Sequence, residues 1–207
     1  MDMGEVIKVG LYLLPLQLLA FAAQYAGLRV RNLYAARPDR QLGRKAVCHL
    51  FLSVAIGIGL AGLTLSVLDI LDRVFEPLHL ARAAAQPGGT PVPPGPTEWF
   101  DEAQRIALGL VLSGLFHGTL MAVVLRLFTN DRDEPAVRRA FTGNRLVFAG
   151  LIWMASATAA LTLLFQKDTD LKALQTTTAV GCVWGVAAAV HLWLLLHGRK
   201  GAEVDGG

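Results

Sequence analysis

Five long stretches of this sequence contain no Asp, Glu, Lys or Arg: 9 to 28, 46 to 68, 106 to 125, 146 to 165 and 173 to 197. Charge of either sign is scarce overall, at 17% of 207 residues, where a soluble domain carries roughly a quarter. Each charge-free stretch is long enough to cross a hydrocarbon core of about 30 Å at about 1.5 Å per residue. The shortage of charge therefore argues against a soluble enzyme and for a chain solvated by lipid. Cysteine is nearly absent, with Cys48 and Cys182 alone, which excludes a disulfide scaffold. The net charge of +3 is too small for a nucleic-acid binder. The 54% apolar content excludes a disordered chain.

Catalytic signatures are missing as well. There is no phosphate-binding Gly-Lys-Ser/Thr, no His-Glu-x-x-His and no Gly-x-Ser-x-Gly, and loops of about twenty residues are too short to fold a catalytic domain. No acidic residue lies inside any of the five stretches. That absence weakens the reading as an ion-coupled pump or small oligomeric pore, because such devices normally embed a carboxylate in the membrane.

What is present is an apolar chain with a mean hydropathy of +0.47 and a clear charge asymmetry. Arg29, Arg31, Arg37, Arg40, Arg44 and Lys45 fall between the first two stretches. Arg126, Arg132, Arg138, Arg139 and Arg145 fall between the third and fourth, and Arg199 and Lys200 follow the fifth. Lys8, Arg73, Arg82, Arg105, Lys167 and Lys172 fall on the other side, alongside ten of the sixteen acidic residues. Basic residues in short loops stay on the cytoplasmic side. The expectation is an all-α integral membrane bundle of five transmembrane helices, N-terminus outside and C-terminus cytoplasmic. The basic loops then lie against anionic headgroups. Cys48 and Cys182, well separated in depth, are expected to be small buried apolar residues.

Residues 1–85 read as a two-span unit, 9–28 and 46–68, followed by a short external amphipathic helix over Asp69 to Ala85 that Pro77 interrupts. Residues 86–98 are a Pro- and Gly-rich external linker. Residues 99–207 form a three-span unit, with spans 106–125, 146–165 and 173–197 and a short tail. Trp99 and Phe100 stand at headgroup level before its first span.

Two segments, Arg138-Arg-Ala-Phe-Thr-Gly-Asn-Arg-Leu-Val-Phe-Ala-Gly150 and Trp184-Gly-Val-Ala-Ala-Ala-Val-His-Leu-Trp-Leu-Leu-Leu196, give residues 106–197 a resemblance to an uncharacterised bacterial inner-membrane family. That family is built from repeated transmembrane helix pairs, with a Gly-Asn element opening the second helix of a pair and a Trp-Gly element in a following helix. Gly143-Asn144 and Trp184-Gly185 stand in those places. The chain departs from the family in having five spans for four, and Cys48-His49 in place of the Asn element of span two. The resemblance implies a helical bundle in an inner membrane and no established chemistry.

Four histidines lie in or at the ends of spans. Counted from the cytoplasmic ends, His49 is about 5 Å deep, His191 about 9 Å and His117 about 12 Å, with His197 at the boundary. Two imidazoles at similar depth on facing helices are what b-type haem requires, so His49 with His191, or His117 with His191, are the candidate ligands of a haem b. The topology is similar to that of the haem-bearing membrane subunit of respiratory nitrate reductase in its five spans, external N-terminus and His on spans two and five. That subunit has two ligand pairs there, whereas Gly59 stands ten residues after His49, so a single haem is the most this chain builds. The competing expectation is that each His is neutral, donates one hydrogen bond to a carbonyl or hydroxyl, and does no chemistry.

Small residues at four-residue spacing, Gly114 with Gly118 in span three and Gly181, Gly185 and Ala189 in span five, are faces on which helix backbones approach closely. They pack either within the chain or against a second membrane subunit or another copy. The leading functional expectation is an accessory or structural subunit that assembles with partner membrane proteins, with a single-haem electron-transfer subunit as the alternative.

Overall fold

The computed structural model describes residues 3–35, 38–84, 102–129, 135–166 and 170–204, and side chains at 15, 17–35, 38–75, 104–129, 137–166 and 170–197. Within these residues the chain forms helices α1 (Met3–Leu33), α2 (Leu42–Ala84), α3 (Glu102–Phe128), α4 (Pro135–Leu164) and α5 (Leu171–Val204). Helices are what such a sequence must form in lipid, because only intra-segment hydrogen bonds satisfy the backbone there. Four of them are long and apolar enough to cross a membrane, over Leu42–Phe75, Gln104–Phe128, Val137–Leu164 and Leu171–His197. Helix α1 is not one of those four, and its side chains up to residue 14 and at 16 lie outside the described residues.

One feature of the helices differs from the expectations above. The segment after Asp69 is not a separate helix: α2 runs on through Pro77 to Ala84. Helix α1 likewise passes Pro15. A proline removes one i→i−4 bond and bends a helix more readily than it ends one. The linker 86–98 and the residues Trp99 and Phe100 lie outside the described residues.

The closest packing joins α2 to α3 and α4 to α5, each pair antiparallel. A Cβ built on Gly114 would lie 2.6 Å from the Gly59 Cα, and one on Gly62 would lie 2.7 Å from the Ala107 carbonyl oxygen. These glycines let α2 and α3 touch backbone to backbone, with dispersion as the gain. At the far end of this pair, Asp69 receives both Arg73 Nε at 3.1 Å and Gln104 Nε2 of α3 at 2.7 Å. The second pair is looser: Gly181 faces Ser156 and Gly185 faces the Trp153 indole, while Ala149, Ala187 and Ala188 form a small buried cluster against Leu60, Leu146 and Trp184. Helix α2 also meets α4 and α5, and α1 leans on α4 and α2. Among the described residues α3 touches α2 alone.

Helix starts are fixed locally. Asp170 caps α5, its Oδ1 accepting the backbone N–H of Lys172 at 3.0 Å and of Ala173 at 3.3 Å. The outer faces stay apolar and exposed, with Phe51, Leu112, Leu151, Leu161, Val186 and Trp193 among many. A surface of that kind is stable in lipid and not in water. Cys182 is exposed on it and Cys48 is half-buried, neither in a disulfide, so the expectation of a buried residue fails for Cys182, which α5 turns outward.

Candidate functional site

Lys45, Phe141 and His49 are the largest side chains that the bundle buries completely. In α2 the positions Leu42, Lys45, Ala46, His49 and Ser53 are all buried, the i, i+3, i+4 and i+7 spacing of one helix face. A polar row is thus carried into the interior, and every member has a partner.

Lys45 Nζ lies 2.7 Å from Asp39 Oδ2. Asp39 also accepts the Gln41 N–H at 2.8 Å through Oδ1, and Asn32 at the end of α1 brackets its backbone, Oδ1 accepting from Asp39 N at 2.6 Å and Nδ2 donating to Asp39 O at 3.1 Å. The turn between α1 and α2 is therefore closed by one ion pair and three hydrogen bonds around a single aspartate.

One helical turn further, Arg145 of α4 reaches across. Its Nε donates to Ser53 Oγ at 2.8 Å, and its Nη2 lies 3.1 Å from His49 Nδ1 and 3.2 Å from the His49 carbonyl oxygen. Ser53 Oγ donates in turn to the same carbonyl at 2.8 Å. Phe141, one turn before Arg145, stacks between rings of two other helices, with centroids 5.0 Å from His49 and 4.9 Å from Phe21. Gln24 Nε2 donates to the Ala140 carbonyl, joining α1 to α4 at the same level. Side chains of α1, α2 and α4 thus converge on one polar centre.

Protonation follows from donor chemistry. Guanidinium groups only donate, so His49 Nδ1 is the bare nitrogen and the neutral ring carries its proton on Nε2. His191 and His117 have the opposite tautomer: Nδ1 of His191 donates to the Ala187 carbonyl at 2.7 Å, and Nδ1 of His117 to the Ser113 carbonyl at 2.8 Å. Each of these leaves Nε2 bare. His191 is buried, whereas His117 is exposed on the outside of α3.

Haem b does not fit this arrangement. An axial ligand presents a bare nitrogen to iron, but His49 gives its lone pair to Arg145 and is covered by Phe141. Among the described residues His117 stands on a helix that meets neither α4 nor α5, so it does not face His191. His191 alone keeps a ligating nitrogen inside the bundle, and among the described residues no three His, Cys, Asp or Glu side chains group as a metal site. The visible spectrum of protein purified with ample haem supply is therefore expected to be featureless, oxidised or dithionite-reduced. A Soret band that disappears in His191→Ala would overturn this.

The packing glycines divide by contact. Gly114 presses on Gly59, Gly118 has Ala55 and Leu52 at 3.9 Å, and Gly181 and Gly185 face α4. Ala189 is exposed and takes no part. Asp39, Lys45 and Arg145 were invisible as site residues in a reading that treated loop charges as topology signals. Their signal was positional, since Lys45 and Arg145 each immediately precede a charge-free span, and Lys45, His49 and Ser53 follow at four-residue steps. No family model, curated protein or solved structure matches the chain.

Proposed function

We propose that this protein is an accessory or structural subunit of a bacterial inner membrane, crossing it five times with the N-terminus outside and the C-terminus in the cytoplasm, and that it assembles with another membrane protein through the outer face of α3. The observation carrying this reading is His117. It sits near the middle of the span Gln104–Phe128, exposed, on a helix that among the described residues has one neighbour. A bare imidazole nitrogen facing hydrocarbon is costly. On the same helix Leu112, Leu115, Phe116, Thr119, Leu120 and Val123 form an open, mainly apolar face against which a second helix can lie. The partner that fits is a transmembrane helix bringing a hydroxyl or amide donor to His117 Nε2, a bond worth about 1 kcal/mol in a bilayer.

A photo-crosslinking residue at position 115, compared with one at the exposed Leu161 of α4, tests this in intact membranes. The expected result is an adduct of one defined mass from position 115 alone, reduced several-fold by His117→Leu. Lipid adducts only, or equal protein adducts from both positions, overturn the reading. An adduct with the mass of two copies of this chain replaces the foreign subunit by a homodimer and overturns it equally.

A further inference from the structure

The cleft between the start of α4 and the end of the α5 span has a volume of about 340 Å³ and is lined by Arg138, Arg139, Thr142, Trp193, Leu194 and His197. We propose that it binds the phosphate headgroup of an anionic phospholipid.

Three observations carry this. The first is position: the apolar spans of α4 and α5 begin at Val137 and end at His197, so the cleft lies where hydrocarbon gives way to water. The second is chemistry. Two consecutive arginines face it, and guanidinium matches phosphate in charge and in bidentate geometry. Arg138 also stands in the first turn of a 30-residue helix, where unsatisfied N–H groups add positive potential. The third is the opposite wall. Trp193 and His197 lie against each other with ring centroids 4.6 Å apart, and His197 Nδ1 donates to the Trp193 carbonyl at 3.1 Å. The Trp193 ring is the amphipathic group expected at headgroup level, and Leu194 continues the wall as apolar surface suited to the first methylenes of an acyl chain. The volume is at the lower end of ligand sites, which run from about 300 to 1,000 Å³. A headgroup with its glycerol suits that size.

Cationic side chains at a membrane surface favour anionic lipid by about 1 kcal/mol each, so losing both arginines should weaken the preference about thirtyfold. The probe is brominated phosphatidylglycerol against brominated phosphatidylcholine in mixed micelles with the purified chain, read by tryptophan quenching. The Trp193→Phe variant isolates the signal of Trp193. Expected is stronger quenching of Trp193 by the anionic lipid, lost in R138Q/R139Q and partly kept in R138K/R139K, which retains the charge without the bidentate fork, with helix content by circular dichroism unchanged in both. Equal quenching by the two lipids, or a preference that survives R138Q/R139Q, overturns the proposal. Displacement of the lipid by millimolar inorganic phosphate overturns the lipid as the source and leaves a site for a soluble phosphate.

Discussion

Gly114→Ala is expected to lower the thermal midpoint of the detergent-solubilised protein by roughly 10 °C. The new Cβ meets backbone on every side: 2.6 Å to the Gly59 Cα and N, and 2.8 Å to the Ala55 carbonyl oxygen. No side chain can rotate away, so α2 and α3 must separate by about an ångström along their whole contact. Overpacking typically costs about 1–3 kcal/mol and more where backbone must move, and about 3 kcal/mol corresponds to 6–12 °C in a chain of this size. Alanine's better helix propensity returns at most about 1 kcal/mol. Gly185→Ala meets the Trp153 indole at 2.8 Å, and that half-exposed ring can shift, so its loss is smaller. Gly118→Ala meets only ordinary contacts at 3.9 Å and is expected to leave the midpoint unchanged or slightly raised. Equal midpoints for all three variants would refute backbone contact at Gly114.

Asp39→Asn is expected to be nearly as damaging, although it changes one atom. Lys45 and Asp39 have side chains 0% and 4% exposed, and the amide would keep an acceptor for the Gln41 N–H while removing the carboxylate from a buried ammonium. Breaking such a pair from one side costs about 3–5 kcal/mol, whereas replacing both members with neutral groups is often close to neutral. The prediction is therefore non-additive. D39N and K45M each lower the midpoint by roughly 10 °C, and the D39N/K45M double variant recovers most of that loss. Additive losses in the double variant would show that the two charges do not depend on each other.

The helical class and four apolar spans were legible because hydrophobicity of this length has few other uses. The pairing of the spans was not. In lipid the outside of a helix is as apolar as the inside, so Leu112 on the exposed face and Leu125 in the buried one look alike in sequence. Gly114 was visible as a close-approach residue, but its counterparts Gly59 and Gly62 were only two among several small residues of α2. The interior contacts of Lys45, Asp39 and Arg145 were hidden for a sharper reason. A charge at the end of an apolar span looks the same in sequence whether it is solvated by headgroups and water or buried against a partner. His49 was singled out for haem chemistry. What the sequence could not tell was which nitrogen would be bare, and Arg145, 96 residues away, decides it.

Among the described residues helix α3 touches α2 alone, and this orders events in time. A chain emerges from synthesis N-terminus first, and its elements pack as they become available. The contact of Gly59 with Gly114 needs nothing beyond residue 128, so the α2–α3 hairpin can close while α4 is still unmade. His49 and Ser53 then enter the membrane before the guanidinium that will bond them exists. The insertion of Arg145 draws α4 to α2, and the polar centre becomes the last lock of assembly, set only once the fourth helix has arrived.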